Sequence, residues 1–162
     1  MTDPSAPLAA IERLPLALAM RHDLWLYPVV EIIHITGFVT LVGSIIVLDL
    51  RLLGLSKALP VRLLARHVLP WSFGALLLIV PSGLLMFIAH AGEFIGNPAF
   101  VIKMSLLFCA GINAAVFHAG TFRNAAAWDS SVAVPAAAKL HALASLLIWL
   151  GMLACGRLLA YV

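Results

Sequence analysis

His34, His67, His90, His118 and His141 each stand in, or at the edge of, a long apolar run. Lys103 and Arg157 are set in such runs too, and Glu31 stands one helical turn before His34. A charged side chain at membrane depth is costly, about 2.5–3.5 kcal/mol for Asp, Lys or Arg on the milder scales. Such groups turn to a bundle interior or a cavity, which makes them candidate site residues. Two neutral imidazoles offered by facing helices can hold a haem iron from both sides. The chemistry open to this set is therefore haem ligation, with Lys103 and Arg157 as cations for the propionates or for Glu31.

The elements that must position these residues follow from composition. The chain has 162 residues, of which 64% are apolar and 10% charged. Average soluble domains are roughly one-quarter charged, so a small integral membrane protein with one compact domain is the economical reading. Four apolar stretches, about 24–50, 67–88, 99–122 and 140–161, each approach the ~20 residues that span a bilayer as a helix. Helix is forced, because a lone strand in lipid leaves its backbone unpaired. The expected fold is all-α, an up-down four-helix membrane bundle forming a single domain over residues 1–162.

The connections set an orientation. The first loop is basic, with Arg51, Lys57, Arg62 and Arg66; the second lacks Lys and Arg; the third has Arg123 and Lys139 at its ends. The positive-inside rule places the first and third loops in the cytoplasm and both termini on the other side. For a Gram-negative host this is the inner membrane, with the termini periplasmic. Residues 1–23 read as an N-terminal interfacial segment, with a short surface helix interrupted by Pro15. No basic n-region precedes an apolar core, so a cleavable signal peptide is not expected. Asp49 and Arg51 read as interfacial, and Trp149 as packed near mid-membrane.

Depth sorts the histidines into two layers. His34 and Lys103 are five or six residues into their helices, on the order of 8–9 Å. They share the non-cytoplasmic half with Arg157 and the shallower His90. His67, His118 and His141 form the cytoplasmic layer. In an up-down bundle the second and fourth helices are diagonal partners, so His67 and His141 are the best-matched pair, with His118 able to replace either. Each helical stripe through these residues carries a small residue that a flat macrocycle could use. From His34 the stripe is Gly37, Leu41, Ser44 and Leu48; from His67, Trp71, Gly74, Leu78 and Pro81; from His118 backwards, Ala114, Gly111 or Ala110, and Leu107; from His141, Ser145, Ile148, Met152 and Cys155.

Ordinary readings stand beside these. Histidines at helix ends are common interfacial residues, Lys103 can snorkel, and small residues serve helix packing. A net charge of +3 is too small to argue for nucleic acid. Cys109 and Cys155 lack CxxC spacing and read as packing residues. No HxxxH or HExxH spacing suggests zinc.

The strings "VVEIIHITGFVTLVGSIIVLDLRLLG", "LPWSFGALLLIVPSGLLMF" and "FVIKMSLLFCAGINAAVFH" resemble the helices of small bacterial membrane proteins. The similar families are copper-resistance D and the four-helix protoporphyrinogen oxidases, over Tyr27 to His118. The resemblance to the oxidases implies haem b and a catalytic pair at His34 and Lys103; the resemblance to the copper family implies metal handling. The extra His67 and His141 depart from the oxidase pattern.

The leading expectation is a cytochrome b-like protein that holds one or two haem b groups through His34, His67, His118 and His141. It would exchange electrons with a quinone or a partner redox subunit. A porphyrinogen-oxidising enzyme, a copper or ion transporter, and a cofactor-free membrane subunit are the alternatives. Copper transport ranks low because Met86, Met104 and Met152 form no ladder. A homo-oligomer remains open.

Overall fold

The computed structural model describes residues 6–129, 133–159 and 161. Residues 1–5 of the expected interfacial segment lie outside the described residues. Among the described residues every regular element is helical. The order is α1 (Ala6–Glu12), α2 (Pro15–His22), α3 (Leu26–Leu53), α4 (Val61–Ala89), α5 (Ala91–Gly96), α6 (Pro98–Ala119), a 3-10 helix (Thr121–Ala127) and α7 (Ala136–Leu158). α3, α4, α6 and α7 are long and apolar enough to cross a membrane. The protein is a multi-pass membrane protein built on an all-α four-helix bundle.

Local chemistry sets the helix ends. The Asp23 carboxylate accepts from the Trp25 and Leu26 amides at 2.8 and 2.9 Å as the chain enters α3. Gly54, in the left-handed region at φ 109°, ends it and lets its amide return to the Arg51 carbonyl. Asn97 caps α6 by accepting from Ala99 N at 2.8 Å, with Pro98 in the first turn. α4 starts at Val61, directly after Pro60, rather than at 67. Arg62 and Arg66 therefore ride on the helix instead of in the loop. Similarly α7 starts at Ala136 after Pro135, and α6 stops at Ala119 before Gly120.

α3 is central, packed against α4 on one side and α7 on the other, and α6 packs on α7. The diagonal pairs, α3 with α6 and α4 with α7, make no close backbone approach among the described residues. Nor do α4 and α6, whose backbones stay apart while Phe87 and Phe100 meet between them at 5.8 Å. The α3–α4 contact is close because Gly37 permits it. A Cβ there would fall 2.9 Å from Ile79 Cγ1 and 3.1 Å from the Ala75 carbonyl. Lipid is as apolar as leucine, so such van der Waals fit holds membrane helices together. The outward surfaces are apolar: Leu77 is 77% and Phe108 71% exposed.

Buried apolar side chains gather at three levels. Leu48, Leu52, Val61, Ala65, Val68 and Phe117 pack at the basic end, where loop 54–60 and residues 120–129 lie. Trp149 packs at mid-membrane with Leu41, Ala75 and Met152, edge-on to Phe38 at 6.1 Å. Met20, Val30 and Ala89 pack at the α5 end. There the broken N-terminal helices are docked on the bundle rather than merely lying on lipid. Glu12 Oε1 accepts from Gly92 N of α5 at 2.8 Å, and Arg21 pairs with Glu12 at 3.5 Å. Stacked rings of Phe87, Phe94 and Phe100 bridge α4, α5 and α6 at that end.

The interfacial reading of Asp49 and Arg51 is corrected: both are buried, at 5% and 4% exposure. α3 runs three residues further than expected, and the loops fold over its end. The Arg51 guanidinium donates to the carbonyls of Leu59 at 2.6 Å, and of Lys57 and Asp129 at 3.2 Å. The Asp129 carboxylate in turn accepts from Arg62 N at 2.8 Å, capping α4 from the other loop.

Candidate functional site

His34 is partly buried on α3 with its ring against α4. Its Nδ1 lies 3.0 Å from Ser82 Oγ and 3.2 Å from the Ile79 carbonyl. The carbonyl can only accept, and the Ser82 hydroxyl already donates to the Leu78 carbonyl. Both partners therefore assign the proton of the neutral ring to Nδ1, leaving the Nε2 lone pair free. Among the described residues Nε2 has no hydrogen-bond partner. An imidazole held through one nitrogen by a carbonyl, with the other open, has the arrangement of a metal-ligating histidine. Gly83 makes room for it: a Cβ there would fall 3.1 Å from His34 Cε1.

Lys103 of α6 approaches the same region from the opposite side. Its Nζ lies 3.9 Å from where a Cβ of Gly156 on α7 would sit. The ammonium is within Coulombic reach of His34 and of Cys155. Among the described residues it has no ion pair and no hydrogen bond. α3, α4, α6 and α7 thus all contribute to one level: a free imidazole nitrogen, an unpaired cation, and a glycine against each of the two side chains. Such a centre can ligate a metal in a flat macrocycle and neutralise a carboxylate on its edge.

The cytoplasmic-layer histidines are arranged differently. His141 Nδ1 donates to Asn113 Oδ1 at 2.7 Å, and Asn113 Nδ2 donates back to the His141 carbonyl at 3.1 Å. His118 Nδ1 donates to the Ala114 carbonyl at 2.8 Å. The buried Phe117 ring sits between them, 5.2 Å from His118 and 5.7 Å from His141. His67 is exposed on α4, and its stripe through Trp71 and Pro81 faces outwards. The expected His67–His141 pair is therefore not brought together, because their helices do not approach and the two stripes diverge. His90 is also removed from His34. It lies at the α4–α5 junction, edge-on to Tyr27 at 5.6 Å and 3.4 Å from Glu93. Arg157 is exposed and turned to Tyr161, whose ring lies 4.7 Å from its guanidinium carbon and whose hydroxyl it meets. Glu31 is exposed.

Sequence reasoning missed Ser82, Asn113 and Ser145 as polar partners of the interior. The signal was available for Ser145, one turn from His141 on the same face, whereas Asn113 lies five positions from His118 and off its stripe. Ser82 was hidden beside Pro81 in a stretch read only for its apolar length. Among the described residues no three His, Cys, Asp or Glu side chains converge on a point that could hold a bare metal ion.

No curated protein and no solved structure matches the chain. One protein family does, and its match over residues 26–162 takes in all four membrane helices and both polar levels. The chain belongs to the family of unknown function DUF6644.

Proposed function

We propose that this protein is a b-type membrane haem protein that binds a single haem b at the His34–Lys103 level and passes electrons. The observation that carries this reading is the His34 ring, fixed through Nδ1 by Ile79 and Ser82 with Nε2 free. The donor chemistry fits the group: His34 would supply an axial nitrogen and Lys103 a cation for a propionate. The bound iron would supply one-electron chemistry, and the chain's axial ligand and burial would set its potential. No second histidine reaches this level among the described residues, which favours one haem over two. A quinone or a partner redox subunit would be the electron donor or acceptor.

The test is the absorption spectrum of the purified, dithionite-reduced protein. A Soret band that disappears in His34→Ala and survives in His67→Ala is expected. Absence of the band from well-folded wild-type protein made with haem supplied overturns the reading.

A second reading is favoured by the unpaired Lys103 ammonium. It fits a substrate carboxylate as well as a propionate, as porphyrinogen oxidation would require. Rescue of a strain lacking that oxidase, lost in Lys103→Met, would support it. Failure of a well-expressed protein to rescue would remove it. The basic loops support a bacterial inner-membrane orientation with both termini outside the cytoplasm. Reporter fusions at the C-terminus test that directly.

A further inference from the structure

Asp49 belongs to neither reading. It is 5% exposed on α3, between apolar neighbours Leu48 and Leu52 of the basic-end core. The buried Ser145 of α7 lies beside its carboxyl group. The second oxygen, Oδ2, is the one buried side-chain polar atom with no partner among the described residues.

No cation faces that oxygen. Arg51, two residues on, is committed to the carbonyls of Lys57, Leu59 and Asp129. The part of α4 that packs here presents Val61, Ala65 and Val68, while Arg62, Arg66 and His67 are exposed on its other sides. On α7 the titratable neighbour is His141, one turn from Ser145 on the same face, with Nδ1 held by Asn113. α2 docks at the opposite end, where Arg21 and His22 are exposed. α6 makes no close approach to α3. An ionised carboxylate in this position would lose its water without compensation, at a cost of several kcal/mol or more.

A small cation on Oδ2 removes the cost. Metal ions of the hard class take six or more oxygen ligands, whereas the carboxyl group and one hydroxyl are the oxygens in evidence here. We propose that Asp49 is an intramembrane proton-binding site, which takes up and releases a proton on Oδ2 beside Ser145. This assignment stands whether or not haem binds at His34.

Dicyclohexylcarbodiimide, an apolar reagent that attacks protonated carboxyl groups in lipid-like surroundings, tests it on the full chain in proteoliposomes. Peptide mapping should find the adduct on Asp49. Labelling should be lost as the pH is raised and should not change when sodium replaces potassium. Infrared difference spectra across the same pH range should show a protonated-carboxyl band that vanishes in Asp49→Asn and is retained, shifted, in Asp49→Glu. An unlabelled Asp49 at every pH, in protein whose other carboxyl groups react, overturns the proposal. So does protection by sodium, which would make the site a metal-ion site instead.

Discussion

The two polar levels of the bundle use the same residue types to opposite ends. Near the α5 end, His34 and Lys103 reach inwards from helices that do not touch, and each keeps its reactive atom free. Near the basic end, His141 and Asn113 satisfy each other in two hydrogen bonds, Phe117 fills the space beside them, and Arg51 donates to three carbonyls. A polar group that finds its partners within the fold rigidifies it. A polar group left free at comparable depth awaits a ligand. Asp49 is the exception at the basic end, and its orphaned oxygen is why it stands apart.

Four substitutions would break or sharpen this contrast. Arg51→Met should have the largest effect on stability. It leaves the Lys57, Leu59 and Asp129 carbonyls without their donor, for a loss of about 3 kcal/mol, read as a fall in unfolding temperature in detergent. Gly37→Val comes next. Its side chain meets Ile79 and the Ala75 backbone, and overpacking of that kind costs about 2 kcal/mol, checked in the same assay. Ser82→Ala should leave stability nearly unchanged and weaken haem binding roughly tenfold, as loss of a group that orients a ligand does. Titration of the apoprotein with haem measures it. His67→Gln, on the exposed side of α4, should shift stability by less than about 0.5 kcal/mol and leave any haem spectrum as it was. A large spectral change there would return His67 to the site.

The four spans were legible in the sequence because length and apolarity suffice to define a membrane helix. So were the His34 and His141 stripes: Gly37, Leu41 and Leu48, and Ser145, Met152 and Cys155, are buried as expected. The His67 stripe was not, although its composition looked equally suited. In water a helix shows its inner face by contrast with a polar outer one. In lipid both faces are apolar, so Trp71, Gly74 and Leu78 carry no sign of which way they point. Asp49 and Arg51 were misplaced for a different reason. Distance from the helix end suggested the interface, but burial there comes from loop 54–60 and residues 120–129 folding back, and that is a tertiary property.

The grip of Arg51 on Asp129 joins positions 78 residues apart, and this orders events in biosynthesis. When only α3 and α4 have left the ribosome, the guanidinium can already meet the Lys57 and Leu59 carbonyls of its own hairpin. Arrival of the second hairpin adds the Asp129 carbonyl, so one side chain first closes its own hairpin and then bolts the two together.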